Sequence, residues 1–169
     1  MLAVVVAVSA LTSGCNKDTI DVPPVSAERP AEPRTPKAAD LSTPENAVRS
    51  YLDFVSYAYL LGKSDVASQT MGPEEFTRVD AYIELDRQRS RKIDQQLKSI
   101  TFGKVVVQGA AKQLLPAQEE WTYRYVDLIT GGYKGSAKKA SFTATYTVER
   151  GPRGWLVTSV EATSSTPIQ

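Results

Sequence analysis

The sequence predicts an α+β domain in which N-terminal helices pack on a curved antiparallel sheet of about four strands. Three observations carry this. Apolar residues recur at helical spacing over 44–61 and from 73 to 97. After Leu97 the period changes to two, in four runs separated by turn residues. Residues 1–41 hold an apolar leader and a proline-rich stretch that cannot supply a core, which leaves 42–165 as one domain of ordinary size.

The first helix starts at Thr43-Pro44-Glu45, which supplies an N-cap hydroxyl, a proline at the first helical position and an acid in the first turn. Ala47, Val48, Tyr51, Leu52, Val55, Ala58, Tyr59 and Leu61 form its apolar face, and Gly62 ends it. Ser64-Asp65 caps a short helical piece that reaches Met71. Pro73-Glu74-Glu75 then opens a long second helix whose face is Phe76, Val79, Tyr82, Ile83, Asp86, Ile93 and Leu97. Its basic run, Arg87, Arg89, Arg91 and Lys92, reads as a solvated face, with an anion-docking surface as the alternative.

The strands are expected at 100–108, 119–129, 141–149 and 155–162. The first has Val105-Val106-Val107 as its apolar core. In the second, Trp121, Tyr123 and Tyr125 alternate with Thr122, Arg124 and Val126. Phe142, Ala144, Tyr146 and Val148 share a face of the third, and Trp155, Val157 and Val160 mark the fourth. Gly131-Gly132 and Gly151-Pro152-Arg153-Gly154 supply turns.

Residues 2–11, LAVVVAVSAL, are too few to cross about 30 Å of hydrocarbon as a helix but suffice for a signal-peptide core. Thr12-Ser13-Gly14-Cys15 follows and resembles the bacterial lipobox, which implies a signal peptide over 1–14 and lipidation of Cys15. Thr12 stands where leucine is commonest, and no Lys or Arg precedes the apolar run, which leaves an upstream start open. An ordinary cleaved signal and an N-terminal membrane anchor remain the alternatives. Residues 15–41 then read as the lipidated Cys15 and a disordered tether, with Pro23, Pro24, Pro30, Pro33 and Pro36 favouring extended polyproline II. The address expected is an exported protein, lipid-anchored at a bacterial membrane with its domain outside the cytoplasm.

Composition narrows the chemistry. Lys+Arg 20 against Asp+Glu 19 gives a net charge of +1, too little to favour nucleic acid. There is no His and one Cys, so a His-based triad, a Cys/His zinc site and an internal disulfide are all excluded. Gly131-Gly132 lacks the following helix that a phosphate or dinucleotide loop needs. No cofactor and no metal are expected.

The order helix, short helix, helix and antiparallel sheet resembles the nuclear transport factor 2-like, cystatin-like superfamily over residues 43–163. The closing run Gly154-Trp155-Leu156-Val157-Thr158-Ser159-Val160-Glu161 looks like the ending of such domains, where a tryptophan plugs one end of the cone. Glu120-Trp121-Thr122-Tyr123-Arg124-Tyr125 and Ala144-Thr145-Tyr146-Thr147-Val148 look like the sheet of the accessory domain of plastid and cyanobacterial division proteins. The resemblance implies a cystatin-like cone and leaves activity open. In isomerase-type members an acid works inside the cone. That makes Asp53, Asp80, Asp86 and Asp127 candidate acids, with Tyr82, Tyr123 or Tyr146 as donors, and exposed acids with core tyrosines as the alternative. Trp121, Tyr123 and Tyr125 are candidate ligand-binding residues. A non-enzymatic binding or scaffold module for an envelope protein or a small apolar ligand is the expected function; a small isomerase or cyclase and a homodimer through the sheet are the other readings.

Overall fold

A computed structural model describes residues 28–164 of the chain. The leader and Cys15 lie outside the described residues. Two helices and a 3-10 turn come first, then five antiparallel strands: α1 (Pro44–Leu61), the 3-10 helix (Asp65–Thr70), α2 (Pro73–Gln88), β1 (Arg91–Phe102), β2 (Val106–Val107), β3 (Lys112–Asp127), β4 (Tyr133–Gly151) and β5 (Gly154–Ser164). The sheet order is β1-β3-β4-β5, with β2 paired to β3 beyond the end of β1. Among the described residues no helix is long and apolar enough to cross a membrane.

Helix α1 forms as its sequence directs. The Thr43 side chain accepts from the Asn46 amide, and Gly62 takes the left-handed conformation (φ 70°) that closes the last turn onto Ala58. Ser64 makes no capping bond; its hydroxyl donates to Asp80 on α2 instead. The second helix stops at Gln88 and does not run to Leu97. Ser90 takes a positive φ of 51°, which turns the chain, and Ile93 and Leu97 both fall in β1, Leu97 packed against the core and Ile93 half-buried. A pair four apart in sequence satisfies helical spacing and strand alternation equally, which is why the pattern misleads there.

Strand boundaries shift for similar reasons. Val106 and Val107 belong to the two-residue β2 and are 49% and 65% exposed, so they form no core. β3 begins at Lys112 and runs through Pro116. The Pro116 carbonyl accepts from Gly103, so its ring nitrogen faces the same edge, in the gap between β1 and β2 where no ladder donor is required. Register shifts interrupt the ladders at Leu97/Ser99, Tyr123/Tyr125 and Thr147/Val148, and such irregularities bend and twist the strands around the helices.

The core lies between the concave face of the sheet and α1, with α2 closing one side. Leu115, Ala117, Ala144, Tyr146, Val148 and Val157 meet Ala47, Val48, Tyr51, Leu52 and Val55 there. Residues 28–40 carry no helix or strand, yet they lie as a strap along α1. At one end Glu28 accepts from the Tyr133 amide and bridges Arg124; at the other the Leu41 carbonyl accepts from the Trp155 amide at 2.9 Å. Between them Asp40 accepts from Asn46 and its amide donates to Ser50, both on α1.

Gly154 is the tightest point of this docking. Its φ is +117°, and an added Cβ would stand 2.4 Å from the Leu41 carbonyl oxygen. Gly154→Ala should therefore destabilise the domain by at least about 1 kcal/mol, through backbone strain and displacement of the strap, as read by urea unfolding.

Candidate functional site

Four acidic side chains among the described residues are buried: Glu75, Asp86, Glu119 and Asp127. Two of them build a polar chain through the centre of the core. Glu119 sits on β3 between Ala117 and Trp121, and strand alternation turns all three inward. Its two carboxylate oxygens accept from the Tyr146 hydroxyl and from Trp121 Nε1, the latter at 2.7 Å. Glu75, in the first turn of α2, accepts from the Tyr51 hydroxyl and from Arg78. Tyr51 and Tyr146 meet edge to face with ring centroids 6.2 Å apart, joining the two halves. The chain thus runs Arg78, Glu75, Tyr51, Tyr146, Glu119, Trp121, and it touches both helices and the two central strands.

Burial, and after it the neighbouring carboxylate, pushes the Tyr51 and Tyr146 phenols far above the ordinary tyrosine range. They remain protonated donors at any physiological pH. Among the described residues no buried side-chain nitrogen or oxygen lacks a partner, and no cluster of acids is arranged to hold a metal ion.

The acids singled out from sequence lie elsewhere. Asp53 and Asp80 are exposed on the helices, and Asp80 accepts from Ser64. Tyr82 is 54% exposed and faces away from the core. Asp86 is buried against Arg91 at 2.7 Å, tying the end of α2 to the start of β1. Asp127 holds the β3–β4 turn: it accepts from the amides of Ile129 and Thr130 and bridges Lys134 at 2.9 Å. The Thr130 amide first, and then Lys134, lower its pKa to about 2. Trp121 is buried beside Glu119, whereas Tyr123 and Tyr125 are half-buried, edge to face at 5.8 Å, with the Arg91 guanidinium 3.8 Å above Tyr125.

Glu75 and Glu119 were not foreseen, although each left a sign. Glu75 stands in the acidic first turn that starts α2, where an acid needs no further explanation. Glu119 shares parity with Trp121, so any reading that turns Trp121 inward turns Glu119 inward too.

Two shallow hollows flank the domain. One, of about 430 Å³, is lined by Gly72, Glu74, Lys112, Thr147, Glu149 and Thr158; the other, of about 370 Å³, lies between the strap and Arg150, Arg153 and Trp155. Neither is lined by Glu75 or Glu119.

No protein-family model and no curated sequence matches the chain. Solved structures do. The intermembrane space region of the chloroplast protein ARC6 is 19% identical, with a TM-score of 0.64 over 77% of this chain and 100% of that one. A Nostoc punctiforme domain with a cystatin-like fold is 12% identical, with a TM-score of 0.45 over 79% of this chain and 82% of its own. An NTF-2 like protein from Shewanella oneidensis is 13% identical, with a TM-score of 0.44 over 71% and 98%. The likeness to the ARC6 region is one of fold. It bears out the expected α+β architecture of N-terminal helices packed on a curved antiparallel sheet.

Replacing Glu119 by leucine leaves the Tyr146 hydroxyl and the Trp121 indole N–H buried without acceptors, so Glu119→Leu should cost about 2–5 kcal/mol in urea unfolding. Asp80→Asn, on the exposed face, should stay within about 0.5 kcal/mol. Asp127 has a lowered folded pKa. Its contribution is therefore present above the ordinary aspartate value of 3.8 and is lost as pH falls towards about 2. Acid titration of Asp127→Asn should lack that segment of the stability curve.

Proposed function

We propose that this protein is a membrane-anchored envelope lipoprotein whose cone serves as a non-enzymatic binding or scaffold module. The observation that carries the non-enzymatic reading is the occupancy of the buried carboxylates. All four oxygens of Glu75 and Glu119 already accept a donor from this chain. A general base needs an oxygen free to face substrate, and here every oxygen of both carboxylates is already engaged by a donor of the core. The half-buried pair Tyr123 and Tyr125 offers instead an aromatic surface of the kind that a protein or small apolar ligand uses.

The anchor rests on the run Thr12-Ser13-Gly14-Cys15 after an apolar stretch, followed by a polar, proline-rich segment. A thioether-linked diacylglyceryl group with an N-acyl chain exceeds the two hydrophobic signals that stable anchoring takes. An envelope protein is the partner this arrangement favours, with self-association through the sheet as a second form of the same role.

One feature supports an isomerase or cyclase: carboxylate and phenol do meet deep in the cone, at Glu119–Tyr146 and Glu75–Tyr51. That reading predicts turnover of a β,γ-unsaturated ketone that disappears in Glu119→Gln; the binding reading predicts none in either protein.

Metabolic labelling with palmitate tests the anchor. The wild-type chain should carry label and sediment with membranes, and Cys15→Ala should lose both. Label retained by Cys15→Ala would overturn the lipoprotein reading.

A further inference from the structure

The turn between β3 and β4 carries two exposed apolar residues, Leu128 at 44% and Ile129 at 85% exposure. The Leu128 amide donates to the Ser90 carbonyl, which sets this tip beside the α2–β1 junction. That junction carries Arg89, exposed, and Lys92, paired across the ladder with Val126. Four acids at this end are held by cations, Asp127 by Lys134, Asp86 by Arg91, Glu84 by Arg87 and Glu28 by Arg124, while Asp94 accepts from the Tyr133 hydroxyl. Arg89 and Lys92 have no ion-pair partner among the described residues, so against the single unpaired acid Asp94 the balance of charge around the apolar tip is positive.

The chain enters the domain at the same end. Glu28 is fastened to Tyr133 and Arg124 at the base of this hairpin, and only residues 16–27 separate it from Cys15. At full extension twelve residues reach roughly 40 Å. The strap thus consumes much of the stretch that would otherwise hold the domain away from the bilayer, and it delivers the remainder from the end that bears Leu128 and Ile129.

We propose that this end of the domain is a membrane-contact surface, with Leu128 and Ile129 entering the interface of the anchoring bilayer and Arg89 and Lys92 lying against anionic headgroups. Exposed apolar residues gain from the acyl boundary, and basic side chains gain from anionic lipid within a Debye length of the surface. The proposal rests on the lipid-anchored reading and adds to it an orientation: the hairpin faces the bilayer and β2, at the far end of β3, faces away.

The test uses the lipidated chain in vesicles of phosphatidylcholine and phosphatidylglycerol that contain spin-labelled lipid. Cys15 is the single cysteine, and in the lipidated chain its sulfur is blocked, so Ile129→Cys and Val107→Cys each accept one environment-sensitive dye. The dye at position 129 should be blue-shifted and quenched severalfold more than the dye at 107, and Arg89→Glu with Lys92→Glu should at least halve that quenching. Equal quenching at the two positions, or quenching at 129 indifferent to the charge reversals, overturns the proposal. A blue shift at 129 that rises with protein density without lipid quenching also overturns it, in favour of a second copy. Failure of the anchor reads differently: a wild-type chain that takes up dye at Cys15 and does not float with the vesicles refutes lipidation, whatever the hairpin does.

Discussion

Burying a carboxylate costs several kcal/mol unless donors replace the water it loses, and the architecture of this domain follows from how Glu119 meets that cost. Its two donors come from different directions, Trp121 from its own strand and Tyr146 from the neighbouring one. Both side chains must therefore turn into the concave face at fixed heights. Tyr146 then sets Tyr51 edge-on, Tyr51 reaches Glu75, and Glu75 is closed off by Arg78 at the rim. One acid on the sheet thus dictates where both helices sit. Leucines in these places would fill the same space with less directional preference, and a polar chain with every member satisfied favours a single arrangement.

The same economy explains why the cone's interior reads as structure. Its acids and phenols lie where a proton-transferring site would place them, yet each is spoken for within the chain. The aspartates that sequence alone brings forward have structural work of their own: Asp127 shapes a turn, Asp86 joins α2 to β1, and Asp80 receives Ser64. The aromatic and apolar groups that the fold leaves partly uncovered are the half-buried Tyr123 and Tyr125 and the exposed Leu128 and Ile129.

Much of this was legible in the residues. Thr43, Pro44 and Gly62 fixed α1 at both ends because caps and breakers act locally, and the alternation around Trp121 and Tyr146 marked the central strands. The end of α2 was not legible, since the chain turns at Ser90, an ordinary residue forced to positive φ, and Ile93 and Leu97 fit either period. Pro116 hid the start of β3 because the gap that tolerates it exists only once β1 and β2 have paired. Glu119 escaped for a related reason. A charge in a strand is read as solvent-facing until the donors that satisfy it are known to stand around it, and one of those donors, Tyr146, comes from far along the chain.

The strap adds a condition on the order of events. Its inner end is held by a backbone bond from Trp155 to Leu41, so a residue near the start of the domain waits for one in the last strand. A ribosome or a translocation channel releases the N-terminal side first, and until β5 arrives Ala39 and Leu41 have no Trp155 to settle against. Closure of such a long loop comes late and cooperatively. The strap is therefore a seal on the finished domain: a chain stopped short of its last strand keeps a loose N-terminal segment, open to proteases at the place where the complete protein is closed.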